Sequence, residues 1–298
     1  MFGPPSLKYF LAVSFGALAS CLMIGVESSN AIEELKVYRG VLVLEGKISA
    51  GDYDKFRAFL AVKSNFDKII GGVFLASPGG NVAEAMRIGR LIRELKLSTE
   101  APSGPPAGIP KFGESLIREN NLVDPKNYLC ASACFFVYVS GVFRTLNWVG
   151  RLGVHEPIVQ GNIGRPLNGD EVSKSNWFVR ETVKNYLKDM SVPDKYADLV
   201  FSVPPNKMRW ITQSEFDSDL QGFSPELRGW IGAKCDSRAG KEKNSFDNRS
   251  APLEAGLTSE KEGVFSAPTI QTGGILKCWM RVKAELSTEA WQKVFLGK

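Results

Sequence analysis

Apolar and polar positions in the first third of the chain follow a strand, helix, strand, helix order. Residues 41–44 are an uninterrupted apolar run, which predicts a buried strand, and residues 51–62 have the spacing of a helix. Residues 69–76 predict a second buried strand, and residues 81–95 place their apolar side chains on one face of a helix. This alternation predicts an α/β fold.

The pattern is interrupted and then resumes in the second third of the chain. Residues 101–112 are rich in proline and glycine, which predicts a surface excursion. Residues 134–141 are apolar enough to be buried as either a helix or a strand, and residues 153–157 look like the end of a strand that breaks at proline. A long amphipathic helix is predicted by the spacing of Val179, Val183, Tyr186, Leu187 and Met190.

The last part of the chain is different in character. Between residues 235 and 278 it turns polar, with little periodicity to support a core. This composition predicts a small appendage, which the two flanking cysteines could staple. We therefore divide the chain into a leader or anchor at residues 1–31, a main domain at residues 32–225 and a C-terminal extension at residues 226–298.

The N-terminus has the layout of an export signal. Lys8 precedes an uncharged apolar run over residues 9–26, and a short polar stretch follows the run. Three outcomes remain open: cleavage after Ala31, lipid attachment at Cys21 after a lipobox-like sequence, or retention as a membrane anchor, since the run can just span a bilayer. We expect an exported, periplasmic protein, attached to the membrane wherever its N-terminus is retained.

Composition and charge exclude several classes of protein. The 298 residues are 44% hydrophobic and 23% charged, as in an ordinary folded protein. The 37 basic and 32 acidic residues are interspersed rather than gathered into a basic stripe, so we expect no nucleic acid partner. His155 is the only histidine in the sequence, which rules out a multi-histidine metal site, and we expect no metal and no cofactor.

Four cysteines remain once residues 1–31 are removed. An even number in an exported chain predicts two disulfides, formed among Cys130, Cys134, Cys235 and Cys278. Cys130 and Cys134 bracket Ser132, and three states stay open for them: a local disulfide, two buried free thiols, or a redox switch or other pairing. A local disulfide requires the turn to be non-helical at one end, because residues four apart in a regular helix are badly placed for it.

Three short segments carry the candidate chemistry. The first is Ser-Pro-Gly-Gly at residues 77–80, where glycines after a strand let backbone N–H groups face outward and hold an oxyanion. In the second, Ser132 lies between small alanines, where its hydroxyl can be exposed and the N–H of Ala133 can help to bind negative charge. In the third, His155 ends a strand, from which its ring could reach a neighbouring hydroxyl and act as a base. Taken singly, each segment is more typical of a turn, a helix cap or a structural histidine.

The order of these segments resembles the proteolytic subunit of the Clp protease, in the Clp protease and crotonase superfamily. The similarity extends from about residue 39 to residue 223, which is most of the mature chain. The resemblance implies a catalytic domain built as a spiral of strand-strand-helix units, followed by the small C-terminal appendage. It also implies that Ser132 is the nucleophile, that His155 is the base, and that the N–H groups of Gly80 and Ala133 form the oxyanion hole.

The resemblance fails at the third catalytic residue. Where the family places its aspartate, just before an Arg-aromatic pair, this chain has Met208 ahead of Arg209 and Trp210. The absent side chain would hold the imidazole tautomer and stabilise the imidazolium. A shifted acid could be supplied by Glu215, Asp217 or Asp219. A Ser-His dyad is the simplest alternative, and Glu156 is a poor candidate because neighbouring residues in a strand point to opposite faces.

Two functions are consistent with these residues, and a third with the fold alone. The first is an exported serine hydrolase, a peptidase that acts on a peptide or protein substrate. The second is a catalytically silent scaffold of the same fold that binds peptides or a partner protein, because Met208 stands at the acid position. Acyl-CoA chemistry of the crotonase type ranks last, since an exported protein meets little coenzyme A. We expect no ATP-driven unfoldase partner outside the cytoplasm, and the oligomeric state, a homo-oligomer included, stays open.

Overall fold

The computed structural model describes six parts of the chain, which are residues 32, 35–102, 123–145, 151–158, 169–235 and 273–298. The expected leader at residues 1–31 lies outside these residues, as do most of the Pro/Gly-rich excursion and most of the polar stretch near the C-terminus. None of the helices in the described part is both long enough and apolar enough to cross a membrane.

Nine strands in the described residues form two sheets. Their bounds are β1 Lys36–Tyr38, β2 Val41–Glu45, β3 Gly72–Ala76, β4 Thr99–Glu100, β5 Cys130–Ala131, β6 Phe143–Thr145, β7 Leu152–Val154, β8 Arg209–Trp210 and β9 Gly222–Phe223. The larger sheet has the order β1-β2-β3-β4-β6-β9, in which the four inner strands are parallel and the two edge strands antiparallel to them. The smaller sheet has the order β5-β7-β8, with β5 parallel and β8 antiparallel to β7.

Helices connect these strands and follow the last of them. Their bounds are α1 Asp52–Ala61, α2 Lys63–Phe66, α3 Val82–Glu94, α4 Ala133–Tyr138, α5 Gly169–Asp189, α6 Lys195–Ser202, α7 Gln213–Glu215, α8 Pro225–Cys235 and α9 Gly273–Leu296. A 3-10 turn at Pro125–Asn127 precedes β5, and a π turn at Phe216–Leu220 follows α7. The architecture is therefore a mixed α/β fold with two sheets in the described residues.

Most of the predicted elements are present with slightly different bounds. The strand predicted at β2 and the helices predicted at α1 and α3 are confirmed. β3 begins at Gly72 rather than at residue 69, because the Ile70 N–H donates to the Gly40 carbonyl in a turn that precedes the strand. The segment at residues 134–141, whose composition suits either state, is helical over most of its length as α4.

A close approach of α3 fixes the position of α4, the helix that follows β5. Gly89 of α3 is buried at this contact, and a β-carbon there would clash with the Tyr186 hydroxyl and stand 3.2 Å from the Phe136 carbonyl oxygen. The same hydroxyl donates a hydrogen bond to the Phe136 carbonyl at 2.7 Å. All six residues of α4 are buried, so α3 and α5 hold this helix firmly behind the small sheet.

The C-terminal helices pack onto the main core. The disulfide Cys235–Cys278 joins α8 to α9. The indole N–H of Trp291 in α9 donates to the Leu60 carbonyl at 2.7 Å, and the ring is buried within the main hydrophobic cluster. The polar composition around residues 235–278 gives no sign of this packing, because the apolar residues that anchor α9 follow the polar stretch.

We expect Gly89→Ala to destabilise the fold, because the added methyl group would clash with Tyr186 and crowd the Phe136 carbonyl. Overpacking of this kind costs about 2 kcal/mol, which in a chain of this size lowers the Tm of thermal unfolding by roughly 5 °C. Gly229→Ala is the matched control, since a β-carbon at this exposed position in α8 meets nothing within 4 Å. An equal loss of Tm in both variants would contradict the packing explanation.

Candidate active site

Three segments that are far apart in the sequence meet at the smaller sheet. The N–H of Ser77, just after β3, donates to the Leu129 carbonyl at 2.7 Å, and the Ala131 N–H donates to the Ser77 carbonyl at 3.0 Å. The Ser132 N–H in turn donates to the Gly153 carbonyl at 2.8 Å. The loop after β3, the turn after β5 and the end of β7 therefore form one continuous backbone layer.

Ser132 occupies a strained turn between β5 and α4. Its backbone has φ 55° and ψ −120°. A non-glycine residue with positive φ is uncommon, costs about 1–3 kcal/mol, and is found most often at functional sites. Its neighbours Ala131 and Ala133 are buried, whereas Ser132 is partly exposed. Ser132 is therefore a partly exposed serine on a strained strand-to-helix turn.

A disulfide closes this turn from both sides. Cys130 in β5 and Cys134 in α4 are bonded to each other, and both residues are fully buried. Because Cys130 belongs to a strand, the turn is non-helical at one end, as the local disulfide requires. Of the three states that the sequence leaves open, the structure contains the local disulfide.

Gly79 packs directly against the Ser132 turn. A β-carbon at Gly79 would stand 2.6 Å from the Ala131 carbonyl oxygen and 2.6 Å from the Ser132 β-carbon, and the residue has φ 100°. Only glycine satisfies both conditions. Its N–H donates to the Ser77 hydroxyl at 3.1 Å, so this N–H is already used inside the loop.

The two expected oxyanion donors, Gly80 and Ala133, follow the two segments that meet at Gly79. Two hydrogen bonds to Ile48 fix the position of Gly80. The Ile48 N–H donates to the Gly79 carbonyl, and the Ile48 carbonyl accepts from the Asn81 N–H, each at 2.8 Å. A β-carbon at Gly79 would lie 3.0 Å from the Ala133 nitrogen, so the loop and the start of α4 touch at this point. Within the described residues, neither the Gly80 N–H nor the Ala133 N–H has a hydrogen-bond acceptor. Both are therefore available to a negative oxygen.

His155 follows β7 directly, and a backbone carbonyl holds its ring. Nδ1 lies 2.9 Å from the Glu156 carbonyl oxygen, which can only accept a hydrogen bond. The neutral ring therefore carries its hydrogen on Nδ1 and leaves Nε2 as an acceptor, the state that a general base requires. The backbone of Glu156 is itself held in place, since its N–H donates to the Val203 carbonyl at 2.8 Å.

Strand pairing brings Ser132 and His155 to the same edge of the small sheet. In the β5–β7 ladder Ala131 is paired with Gly153, so the two candidates follow at the same ends of adjacent parallel strands. Adjacent strands are about 4.8 Å apart, a spacing that a serine and a histidine side chain can bridge. Ser132 and His155 thus follow the same ends of two neighbouring strands, and no hydrogen bond joins their side chains in the described structure.

Met208 precedes β8, and His155 follows β7. The β7–β8 ladder ends at the pair Val154–Arg209, so these two residues lie just beyond it. The Met208 sulfur lies 2.7 Å from the position that a β-carbon on Gly153 would take, so the thioether packs over bare backbone. A thioether provides no carboxylate to the ring.

The Glu215 carboxylate binds groups of β8 and of the residues that follow it. Its carboxylate accepts from the Arg209 guanidinium at 2.8 Å and from the Thr212 N–H at 2.7 Å. Partial burial raises the pKa of this carboxyl, but the hydrogen bonds from Thr212 and Arg209 outweigh burial and lower the pKa below its ordinary value. Glu215 is therefore an ionised partner of Arg209, and no hydrogen bond joins it to His155 in the described structure.

Asp217 and Asp219 also bind other groups. The Asp219 carboxylate accepts from the Tyr196 hydroxyl at 3.0 Å and pairs with Lys195 at 2.6 Å, and Asp217 accepts from two glutamine side chains. Partial burial raises the pKa of Asp219, but the bonds from Lys195 and Tyr196 lower it overall. None of the three expected acids reaches His155, which has no carboxylate partner among the described residues.

Three supporting groups of the site are missing from the sequence-based prediction. These are the Ser77 hydroxyl, the packing of Gly79 against the Ser132 turn, and the Glu156 carbonyl. The first of two successive glycines after a strand is a signal that a close backbone approach is needed, and it points to Gly79. A backbone carbonyl is common to every residue, so the role of Glu156 has no signature in the sequence.

Comparison with known proteins gives little further information. No family model matches the chain, and no curated protein matches it. Among solved structures, a serine-to-alanine mutant of the "1510-N membrane-bound stomatin-specific protease" is similar over 65% of this chain and 84% of its own length, at 13% identity and a TM-score of 0.39. A likeness at that identity and score carries nothing about the activity of this chain.

We expect the double variant Cys130→Ala/Cys134→Ala to react more slowly at Ser132, because the disulfide that closes the strained turn is gone. Misplacing a catalytic group by about 1 Å can cost about 100-fold, so we expect a loss of about 10- to 100-fold in the labelling rate with a fluorophosphonate probe. Cys235→Ala/Cys278→Ala removes the other disulfide and is the matched control, for which labelling should persist. Equal labelling of both double variants would exclude a positioning role for the first disulfide.

Proposed function

We propose that this chain is an exported serine hydrolase, a peptidase acting on peptides or proteins. The observation that carries the proposal is the placement of Ser132, in a positive-φ turn on the strand next to that of His155, beside two N–H groups without acceptors among the described residues. The resemblance of the three segments to the Clp protease proteolytic subunit supports peptide bonds as the substrate. It also supports a spiral of strand-strand-helix units as the fold type.

In the proposed mechanism, His155 Nε2 takes the proton of the Ser132 hydroxyl as the serine oxygen attacks the substrate carbonyl carbon. The carbonyl oxygen becomes negative, and the N–H groups of Gly80 and Ala133 donate to it. When the C–N bond breaks, the imidazolium gives its proton to the leaving amine and an acyl-serine ester remains. The same imidazole then takes a proton from a water molecule, whose oxygen attacks the ester carbon. The bond from that carbon to the Ser132 oxygen breaks, the imidazolium returns the proton to the Ser132 oxygen, and the acid product leaves.

The Glu156 carbonyl performs one of the two tasks of a triad acid. It fixes the imidazole tautomer by accepting from Nδ1 at 2.9 Å. A neutral carbonyl stabilises an imidazolium less than a carboxylate does, because hydrogen bonds between charged groups are stronger. We therefore place the activity on a Ser-His dyad, slower than a triad, instead of on a shifted acid at Glu215, Asp217 or Asp219.

A second candidate function is a silent scaffold that binds peptides or a partner protein. The observation that favours it is Met208, which stands in the sequence where the resemblance expects an acid and whose sulfur packs over the backbone of Gly153. This function requires a folded protein that binds peptides but whose serine does not react with an active-site probe.

An exported, periplasmic location fits both disulfides. Disulfides persist in oxidising compartments and are rare in the cytosol, and both bonds are formed in this chain. The apolar run at residues 9–26 supports the same location and attaches the protein to the membrane wherever it is retained. The proposed peptidase works without an ATP-driven unfoldase and without a cofactor. The proposal leaves the oligomeric state open, and sedimentation would detect a homo-oligomer.

We expect a fluorophosphonate probe to label the wild-type protein and to leave Ser132→Ala unlabelled. His155→Gln should lower the labelling rate by about 1,000-fold or more, because the serine loses its base. Asp217→Asn is the control, since this exposed carboxylate binds only glutamine side chains in the described structure and labelling should be unchanged. Failure of the folded wild-type protein to react would favour the silent scaffold, and loss of labelling in Asp217→Asn would restore that residue as the acid.

We expect Met208→Asp to raise the labelling rate, because a carboxylate on the residue that precedes β8 would stabilise the imidazolium of His155, which follows the paired strand β7. A gain of about ten-fold or more is expected at neutral pH. Met208→Asn, which has nearly the same shape without the charge, should show no gain. Equal rates in the two variants would mean that a side chain at this position does not reach the ring.

A further inference from the structure

Arg144 of the larger sheet is a buried cation without a partner in the part of the chain that the structure describes. It is the middle residue of β6 and is 4% exposed. Its Nε and Nη1 atoms are buried and have no hydrogen-bond acceptor there, and no described carboxylate forms an ion pair with it. Buried charges are costly and are normally paired, so a guanidinium group in this state marks a place where a counter-ion is needed.

Arg93 of α3 supplies a second buried guanidinium group, and only part of it is used. Its Nη2 donates to the Val139 carbonyl at 3.4 Å and to the Met190 carbonyl at 3.0 Å, at the ends of α4 and α5. An arginine at this point holds the last carbonyls of the two helices. Its Nε and Nη1, however, have no hydrogen-bond acceptor among the described residues. Arg93 therefore keeps N–H groups that a ligand can use.

The charge of one arginine acts on the other. Burial lowers the pKa of Arg144 to about 10, and the positive charge of Arg93 contributes to this lowering. Burial also lowers the pKa of Arg93. Both groups stay protonated at neutral pH, since a pKa of about 10 lies well above it. Two like charges therefore lie close together in the interior, where salt screens their repulsion only weakly.

The carboxylates around this pair do not neutralise it. Glu226 of α8 lies 3.9 Å from Arg93 Nη1 and 3.8 Å from Lys96 Nζ, so two cations share it, and its side chain is 48% exposed. Neither distance is short enough for a hydrogen bond. Glu100 in β4 is one position past the residue paired with Arg144, so its side chain lies on the opposite face of the sheet. The described residues thus leave an excess of positive charge around Arg144.

The strand on one side of Arg144 leaves room for a ligand. β9 is an edge strand, and its Gly222 is paired with Arg144 in the β6–β9 ladder. Gly222 is partly exposed, and a β-carbon at this position would meet nothing within 4 Å. On the other side, the residue paired with Arg144 is Thr99, whose hydroxyl already donates to the Tyr138 carbonyl at 2.6 Å. The side of β6 that is open to a ligand is therefore the β9 side.

We infer that Arg144 and Arg93 form a binding site for a small inorganic oxyanion, of the class of phosphate or sulfate. A tetrahedral oxyanion carries acceptor oxygens on all sides, so it can accept from both guanidinium groups at once, and arginine N–H groups bind such anions strongly. It also supplies the negative charge that the pair lacks. The site lies where α4 ends, whereas Ser132 precedes the first residue of that helix. The inference is therefore independent of the proposed peptidase function.

The test measures the binding of inorganic phosphate to the full chain by isothermal titration calorimetry, at constant ionic strength. We expect saturable binding of one phosphate per chain. About 10 mM phosphate should raise the Tm by about 3 °C or more, as a ligand in excess over its Kd does for a chain of this size. Sulfate should act similarly, and acetate and chloride at the same ionic strength should have little effect. Absence of saturable binding, or equal shifts with acetate or chloride, would overturn the inference.

Substitution of Arg144 assigns the binding to the site. Arg144→Met should bind phosphate at least about ten-fold more weakly, because charged hydrogen bonds are lost. Without phosphate its Tm should equal or exceed that of the wild type, since an apolar side chain in place of a buried unpaired charge is often neutral or stabilising. Arg228→Met, which removes an exposed arginine of α8, is the matched control and should keep both the affinity and the Tm shift. A phosphate affinity that survives Arg144→Met would contradict the assignment.

A surface variant tests the site without altering the core. Glu226→Gln removes the carboxylate that competes with phosphate for Arg93, so the phosphate affinity should rise by about three-fold. Glu285→Gln is its control, since this exposed carboxylate pairs with Lys234 and Arg281 in the C-terminal helices, and the affinity should stay unchanged. An affinity that does not rise in Glu226→Gln would place phosphate away from Arg93 and overturn the two-arginine site. Neither measurement involves labelling of the serine, so its outcome is separate from that of the proposed function.

Discussion

Ser132 is held beside the strand of His155 by one hydrogen bond, from its N–H to the Gly153 carbonyl at 2.8 Å. The strands that make this connection are short, since β5 has 2 residues and β7 has 3. A pairing of that length is marginal in isolation, and it persists because its surroundings are rigid. The Cys130–Cys134 disulfide closes the turn, and all of α4 is buried behind it. The position of Ser132 is thus set by the packed core and by one covalent bond.

Glycine makes the rest of the site possible by letting backbone approach backbone. Gly79 fits against the Ser132 turn only because it has no β-carbon, and Gly80 leaves an N–H without an acceptor in the described structure. Gly153 accepts the bond from Ser132 on one side and leaves room for Met208 and Trp210 above its own backbone. On the proposed function, the reaction therefore depends on backbone N–H and carbonyl groups. These groups reach their positions because the glycines have no side chain, and few charged groups take part.

The sequence predicts those parts of this arrangement that depend on local patterns. Apolar periodicity is enough to predict β2, α1 and α3. The candidate base and nucleophile are named only through the order of the three short segments and the resemblance that this order carries. Long-range pairing is beyond such patterns, because the Ser77 hydroxyl and the Glu156 carbonyl act on neighbours that only the fold brings near. The packing of α9 through Trp291 is hidden in the same way, since its partner Leu60 is 231 positions away.

Met208 has two consequences for the site: position 208 provides no acid, and it places an apolar side chain over the backbone of Gly153. A carboxylate at Met208 would stabilise the imidazolium, but it would also place a charge next to the indole of Trp210, on the face that lies over Gly153. Covering that carboxylate with a bound substrate would cost free energy, because the carboxylate would lose water without gaining a cation. Arg209, the cation of β8, is already paired with Glu215. On the proposed function, this site therefore combines a weaker base with a lower cost of removing water. The Glu156 carbonyl still fixes the tautomer of the ring, which is the one task of a triad acid that requires no charge.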